Sequence, residues 1–247
     1  MGNTVAVIQA RMGSTRLPGK VMKDIGEKPM LWHVYERAQH SSLLDKVVIA
    51  TSTKDGDDKV AAFCDDNNIP YSRGSEEDVL DRYYQAAKKE DADTVVRLTS
   101  DCPLLSPAYI DRVIRQYHTD TADYVTNIIE YTQPVGFDTE VFSFSSLERA
   151  WNEATEPDER EHVTIYIRES GKFETRNVEN PIDLGRYEFS EDFPVPRLTV
   201  DYPEDLELVR EIYNRLTRRG HWVFDQHSIL ELLEREPELL RINEDHY

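Results

Sequence analysis

The stretch VAVIQARMGSTRLPGK, Val5 to Lys20, passes from uncharged residues straight into a loop of small and basic ones. An apolar run ended by glycine and proline signals reads as a strand buried on both faces, as strands of parallel sheets are. KVVIAT (Lys46 to Thr51) and TVVRLT (Thr94 to Thr99) repeat the pattern with β-branched residues. Helical periodicities lie between and after these runs: Pro29 to His40, Asp57 to Asn67, Glu77 to Lys89, and Pro107 to Tyr117, where Ile110, Val113, Ile114 and Tyr117 share one face. This alternation predicts an α/β fold with a mostly parallel, mixed sheet and helices on both faces.

Beyond Tyr117 the pattern loosens. Phe137 to Phe142 and Phe173 to Val178 alternate like half-exposed strands, separated by helical stretches at Ser146 to Ala154 and Glu159 to Glu169. Arg197 to Val200 reads as a short strand, Pro203 to Arg218 as a helix and Ser228 to Glu234 as a closing helix. No linker or repeat divides the 247 residues. One domain is expected, with an excursion at about 130–195 serving as a lid or dimerisation element.

Composition narrows the function. Acidic residues outnumber basic ones by 48 to 29, a net charge of -19, which opposes binding to nucleic acid or an anionic membrane. The excess itself reads as a salt-adapted surface. No apolar run is long enough to span a bilayer, and the first residues lack the pattern of a secretion signal, so a cytoplasmic protein is expected. Cys64 and Cys102 stand apart and belong to no metal-binding spacing.

Against that acidic background, no Asp or Glu occurs from Met1 to Lys23, while Arg11, Arg16, Lys20 and Lys23 do. Gly13, Ser14, Thr15 and Gly19 are small enough for backbone amides to form a concave anion nest. A loop of this kind, at the carboxyl end of a strand, lies where open α/β sheets bind ligands. A surface turn would explain the glycines and proline but not charge of a single sign. The loop fits neither the P-loop nor the dinucleotide fingerprint.

QARMGSTRLPGK resembles the signature loop of bacterial sugar-acid cytidylyltransferases, and most closely that of the spore-coat polysaccharide branch. RGSEEDVLDRYYQAA (Arg73 to Ala87), RLTSDCPLL (Arg97 to Leu105), EREHVTIYI (Glu159 to Ile167) and RLTVDYPEDL (Arg197 to Leu206) continue the resemblance in order along the chain. It implies a Rossmann-like nucleotide-diphospho-sugar transferase fold and a homodimer that joins CTP to an acidic sugar, releasing pyrophosphate. It also implies that Ala10, Arg11, Met12, Gly13, Ser14, Thr15, Arg16 and Lys20 hold the triphosphate. Arg73, Gly74, Ser75, Asp81 and Arg82 would lie against base and ribose, and preference for cytosine rests on the resemblance alone.

The patterns R-L-T-S-D-C-P and R-L-T-V-D-Y-P place Asp101 and Asp201 alike, each where a strand would end. If those strands are neighbours, the two carboxylates share a crevice and suit Mg2+, which takes one or two carboxylates plus substrate phosphates. The resemblance assigns the same two residues to metal. The alternative for Asp201 is helix capping, since Pro203 and two acids follow it.

On the acceptor side the resemblance points to Glu161 and His162, with Arg197 as a second cation and with Gly136 and Asp138 in a loop. His162 alternatively makes a structural hydrogen bond, and the Gly136 loop is alternatively an ordinary turn. The expected chemistry is attack by an acceptor oxygen on the α-phosphorus of CTP, with Arg11, Arg16 and Lys20 offsetting charge on pyrophosphate. Acceptors consistent with this are Kdo, a nonulosonic acid, or a sugar or polyol phosphate. A nucleotide-sugar-dependent glycosyltransferase of related fold and a non-catalytic nucleotide-binding module are the competing readings.

Overall fold

Residues that alternate along a strand but are apolar at every position must be covered from both sides, and the first strand is built that way. In the computed structural model, which describes residues 2–217 and 221–247, β1 (Thr4–Gln9) is an inner strand of the sheet, between β4 and β6. Val5 and Val7 face one core and Ala6 and Ile8 the other. After β1 come a two-stranded hairpin, β2 (Asp24–Ile25) and β3 (Lys28–Pro29), and helix α1 (Met30–Gln39). Strand β4 (Lys46–Ser52), α2 (Asp58–Asp66), β5 (Tyr71–Gly74), α3 (Val79–Lys89), β6 (Thr94–Thr99) and α4 (Pro107–Thr119) complete the regular half.

The second half supplies β7 (Tyr124–Thr126), β8 (Glu140–Ser143), α5 (Phe144–Glu153), α6 (Pro157–Glu161), α7 (Ile165–Glu169), β9 (Thr175–Asn177), α8 (Pro203–Leu216) and α9 (Gln226–Arg235). The main sheet runs β5-β4-β1-β6-β8-β7-β9. Its first four strands are parallel, and β8 is antiparallel to both β6 and β7. Helices α3, α5 and α7 cover one face, and α1, α2, α4, α8 and α9 the other. Chain order reverses between β1 and β6, so a crevice opens at their carboxyl ends, where Gln9 and Thr99 are register partners.

Several expected elements differ. Glu159 to Glu169 is not one helix but two, α6 and α7, because Val163 between them takes φ 57°. Arg197 to Val200 is not a strand: it touches the sheet region through one parallel bridge, Val135 to Arg197, and through Val200 N, which donates to Asp101 O at 2.8 Å. The strand expected at Phe137 starts at Glu140, since the Asn127 side chain takes up Phe137 O and Thr139 N, each at 2.8 Å. The strand expected over Phe173 to Val178 contracts to β9. Helix α5 starts early at Phe144, capped by Ser143 Oγ. Helix α8 is described to Leu216, and Arg218 lies outside the described residues. The chain does not close on α9, which is followed by a 3-10 segment, Pro237–His246. Among the described residues no helix is long and apolar enough to cross a membrane.

One core residue makes stability depend on pH. His33 of α1 is wholly buried beside Trp32, Tyr213 and Trp222, and burial drives its pKa down to about 4. The native state keeps His33 neutral, while the unfolded chain takes up a proton near pH 6.5. Stability therefore falls as pH drops from about 6.5 towards 4, by up to about 3 kcal/mol. Urea unfolding of His33→Gln should show that acidic limb flattened; an unchanged slope would place its origin elsewhere.

Candidate active site

The loop after β1 is held by few, specific bonds. Ala10 N donates to Ala50 O at 3.1 Å, and both Ser14 N and Gly19 N donate to Met12 O. Met12 N donates to Asp57 Oδ1 at 2.6 Å, and Ser52 Oγ donates to the other Asp57 oxygen. Asp57, 2% exposed, is thus the post on which the loop hangs. Leu17 and Val21 are buried and anchor its far end. The amides of Gly13, Thr15 and Arg16 donate to no protein group among the described residues, which leaves them for an anion.

The loop forms one wall of a cavity of about 340 Å3. Ala10, Arg11, Gly13, Ser14, Thr15, Arg16 and Lys20 line it. Arg82 from α3 lines it too, as do Asp101, Asp201, Glu161 and His162. Gln9, Val21, Val79 and Ser100 also line the cavity and are not among the expected site residues.

Lys20 is the focus of the charge pattern. Its Nζ lies 3.0 Å from Asp101 Oδ2, 3.0 Å from Asp201 Oδ1 and 2.8 Å from Val200 O. Burial lowers the Lys20 pKa and the two carboxylates raise it, and the carboxylates prevail. Asp201 also pairs with Arg16 at 2.9 Å and Arg197 at 2.8 Å. Burial pushes its carboxyl up, but Lys20, Arg197 and Arg16 together hold it below its usual value. Asp201 does not cap α8. Asp205 does that, accepting from Asp201 N and Tyr202 N at 2.8 and 3.0 Å.

Two carboxylates that meet at one ammonium nitrogen offer hard oxygen donors to a shared point, as Mg2+ requires. Among the described residues no group of three or more metal-ligating side chains occurs. A cation held here would therefore draw its other ligands from phosphate and water, which is the habit of Mg2+.

Arg82 is 2% exposed, and its Nε and Nη1 have no hydrogen-bond partner among the described residues. Burial lowers its pKa, the opposite of what a paired guanidinium shows. Gly74 makes room for it: a Cβ at Gly74 would fall 2.8 Å from Arg82 Cγ. The facing wall is the turn after α6. There Val163, β-branched and buried, sits in the left-handed region, a strain of about 1–3 kcal/mol that the surrounding contacts must hold. Thr164 Oγ1 donates to buried Glu140 Oε2 at 2.6 Å, and Arg160 clamps α6 onto Asp78. That fixes Glu161 and His162 at the cavity, with Glu161 3.4 Å from Arg11.

The other predicted residues lie outside this cavity. Met12 is partly buried and packs against the core. Arg73 donates to Ser52 O at 2.9 Å and pairs with Asp58, Ser75 Oγ accepts from Asp78 N, and Asp81 accepts from Trp151 Nε1 at 2.9 Å. Gly136, at φ 112°, passes so close to Leu198 and Thr199 that a Cβ would fall 2.8 Å from their backbone. Asp138 accepts from Tyr131 Oη at 3.2 Å, and burial, with Asp101 and Glu140 nearby, pushes it up to about 6. Arg197 turns to Asp201 and Asp205.

A family model described as cytidylyltransferase matches residues 5–234. The chain is 34% identical to the spore coat polysaccharide biosynthesis protein SpsF of Bacillus subtilis, over 96% of this chain and 97% of that one. A solved cytidylyltransferase from Leptospira borgpetersenii superposes with a TM-score of 0.86 at 31% identity, covering 97% of each chain. A CMP-Kdo synthetase solved with CTP shares the fold, with a TM-score of 0.65 at 21% identity over 87% of this chain and 100% of that one.

Proposed function

The chain belongs to the cytidylyltransferase family, and from that premise we propose that it couples CTP to an acidic sugar or a sugar or polyol phosphate, releasing pyrophosphate. The observation that carries this reading is the convergence of Lys20, Asp101 and Asp201, from three separate segments, within 3.0 Å at the end of an anion-binding loop. The reading includes Mg2+ at Asp101 and Asp201, on the repeated aspartate pattern and the resemblance, a homodimer on the resemblance alone, a cytoplasmic location, and a lid or dimerisation role for the irregular segment 130–195.

In the reaction an acceptor oxygen forms a bond to the α-phosphorus as the bond from that phosphorus to the pyrophosphate oxygen breaks, and a hydroxyl acceptor releases its proton to water. Arg11, Arg16, Lys20 and the free amides of Gly13 and Thr15 offset the charge that grows on the departing pyrophosphate. Bound Mg2+ supplies Lewis-acid charge at the phosphate oxygens. Glu161 and His162 face the loop from the opposite wall and orient the acceptor. The test is a pyrophosphate-release screen of the four nucleoside triphosphates with Mg2+ against acidic sugars and sugar phosphates. CTP should be preferred; release from another triphosphate alone, or from none, would sink the reading.

Arg82 is the nucleotide-side residue with the clearest expectation. A buried guanidinium with empty donor positions costs stability until a ligand fills them. Cytosine offers two acceptors, O2 and N3. Arg82→Met should leave the melting temperature unchanged or raised while weakening CTP binding at least about tenfold by calorimetry. Unchanged CTP affinity would remove Arg82 from the site.

A further inference from the structure

Each cation of the loop that faces the cavity is already matched by a carboxylate of the same cavity. Arg11 pairs with Glu161 at 3.4 Å, Arg16 with Asp201 at 2.9 Å, and Lys20 with both Asp101 and Asp201 at 3.0 Å. Lys20 is the most enclosed, its side chain 13% exposed against 50% for Arg16. Its ammonium occupies the point at which the two carboxylates meet.

The free loop amides and Arg82 offer donors to an anion, but the paired loop cations and carboxylates oppose a ligand of either sign that arrives alone. A free triphosphate would draw Lys20 and Arg16 away and leave Asp101 without a cation beside Asp201, which keeps only Arg197, and like charges at close range oppose that. A free divalent cation would have to expel an ammonium whose remaining partner is one backbone carbonyl, Val200 O. Arriving together, each ligand takes the partner that the other releases. We infer that the cavity admits a divalent cation and a polyphosphate as one complex, and that Lys20 is an internal cation closing the carboxylate pair to free metal until a polyphosphate draws its ammonium away. This deepens the nucleotidyl-transfer reading, on which it rests.

The test needs no turnover. Mn2+ binding to the full chain without nucleotide is followed by loss of the electron paramagnetic resonance signal of the free ion. The parent protein should bind Mn2+ weakly, and Lys20→Met should bind it at least about tenfold more tightly. A gain that depends on Asp101 is not what misfolding would produce. Lys20→Arg, which keeps the positive charge, should remain like the parent, and adding Asp101→Asn to Lys20→Met should erase the gain. Equal affinity in parent and Lys20→Met overturns the inference, as does a gain that Lys20→Arg shares or that survives Asp101→Asn. Failure of this arm leaves nucleotidyl transfer standing. A parent protein that binds no CTP in the presence of Mn2+ would remove the transfer reading while the Lys20→Met result stayed readable.

Discussion

Asp101→Asn should turn over CTP about 10²–10³-fold more slowly than the parent, the loss typical when one preorganised charge partner is removed from a transition state, and it should melt at the same temperature. Asparagine keeps the shape of aspartate and still accepts from Lys20, so the fold keeps its hydrogen bond at the end of β6. The Asp101 side chain is 30% exposed, and its ion pair is partly screened by water, so the stability change is small. What goes is the second negative charge opposite Asp201. On the proposed reading, two charges would hold a divalent cation beside the phosphates of the nucleotide, and one would leave it largely to the nucleotide. The measurement is the Mg2+ dependence of pyrophosphate release at saturating CTP. The variant should need far more Mg2+ and still fall short at saturation. A parental titration curve would take Asp101 out of the metal site.

The residues behind that prediction were legible to different degrees, for physical reasons. The loop stood out because its charge is of one sign in a chain of the other, and because strand, glycine and proline signals bracket it. Asp101 and Asp201 stood out because a repeated local pattern places them alike, although what precedes Asp201 is a bridge and not a strand. Asp57 could not be singled out: it reads as one acid at the start of a helix among 48 acids, and only the fold brings its carboxylate to Met12 N. Glu140 was hidden in an alternating run where a charged residue normally faces water. The break at Val163 was invisible because valine carries no turn signal; long-range packing imposes its backbone angle against local preference. Arg73 and Arg197 illustrate the converse, since a cation within a motif can serve the scaffold. Arg197 gives its guanidinium to Asp201 and Asp205, and thereby helps to hold Asp201 in place.

Glu140→Ala should cost about 3–5 kcal/mol of stability, the usual result of stranding one member of a buried ion pair. Glu140 and Arg97 face each other across β8 and β6 and are joined by an ion pair. Glu140 also accepts from Tyr124 Oη at 2.5 Å and from Thr164 Oγ1 at 2.6 Å. Burial pushes its carboxyl up, yet Arg97, Thr164 and Tyr124 outweigh burial and hold its pKa below the usual glutamate value. A depressed folded pKa means that the stabilisation is present above the unfolded value, about 4.3, and is lost as pH falls through the folded one. Without Glu140 the Arg97 guanidinium stays buried, with Gln9 Oε1 at 3.2 Å as its remaining hydrogen-bonded side chain. Removing both charges, as in Arg97→Met with Glu140→Leu, should recover most of the lost stability in urea unfolding. It should not recover activity. Arg97 orients Gln9 on one wall of the cavity, and Glu140, through Thr164, holds the turn that carries His162 on the other. A merely structural pair would give back both stability and turnover in the double variant, whereas a positioning pair gives back stability alone, with the deficit concentrated in the Michaelis constant for the acceptor.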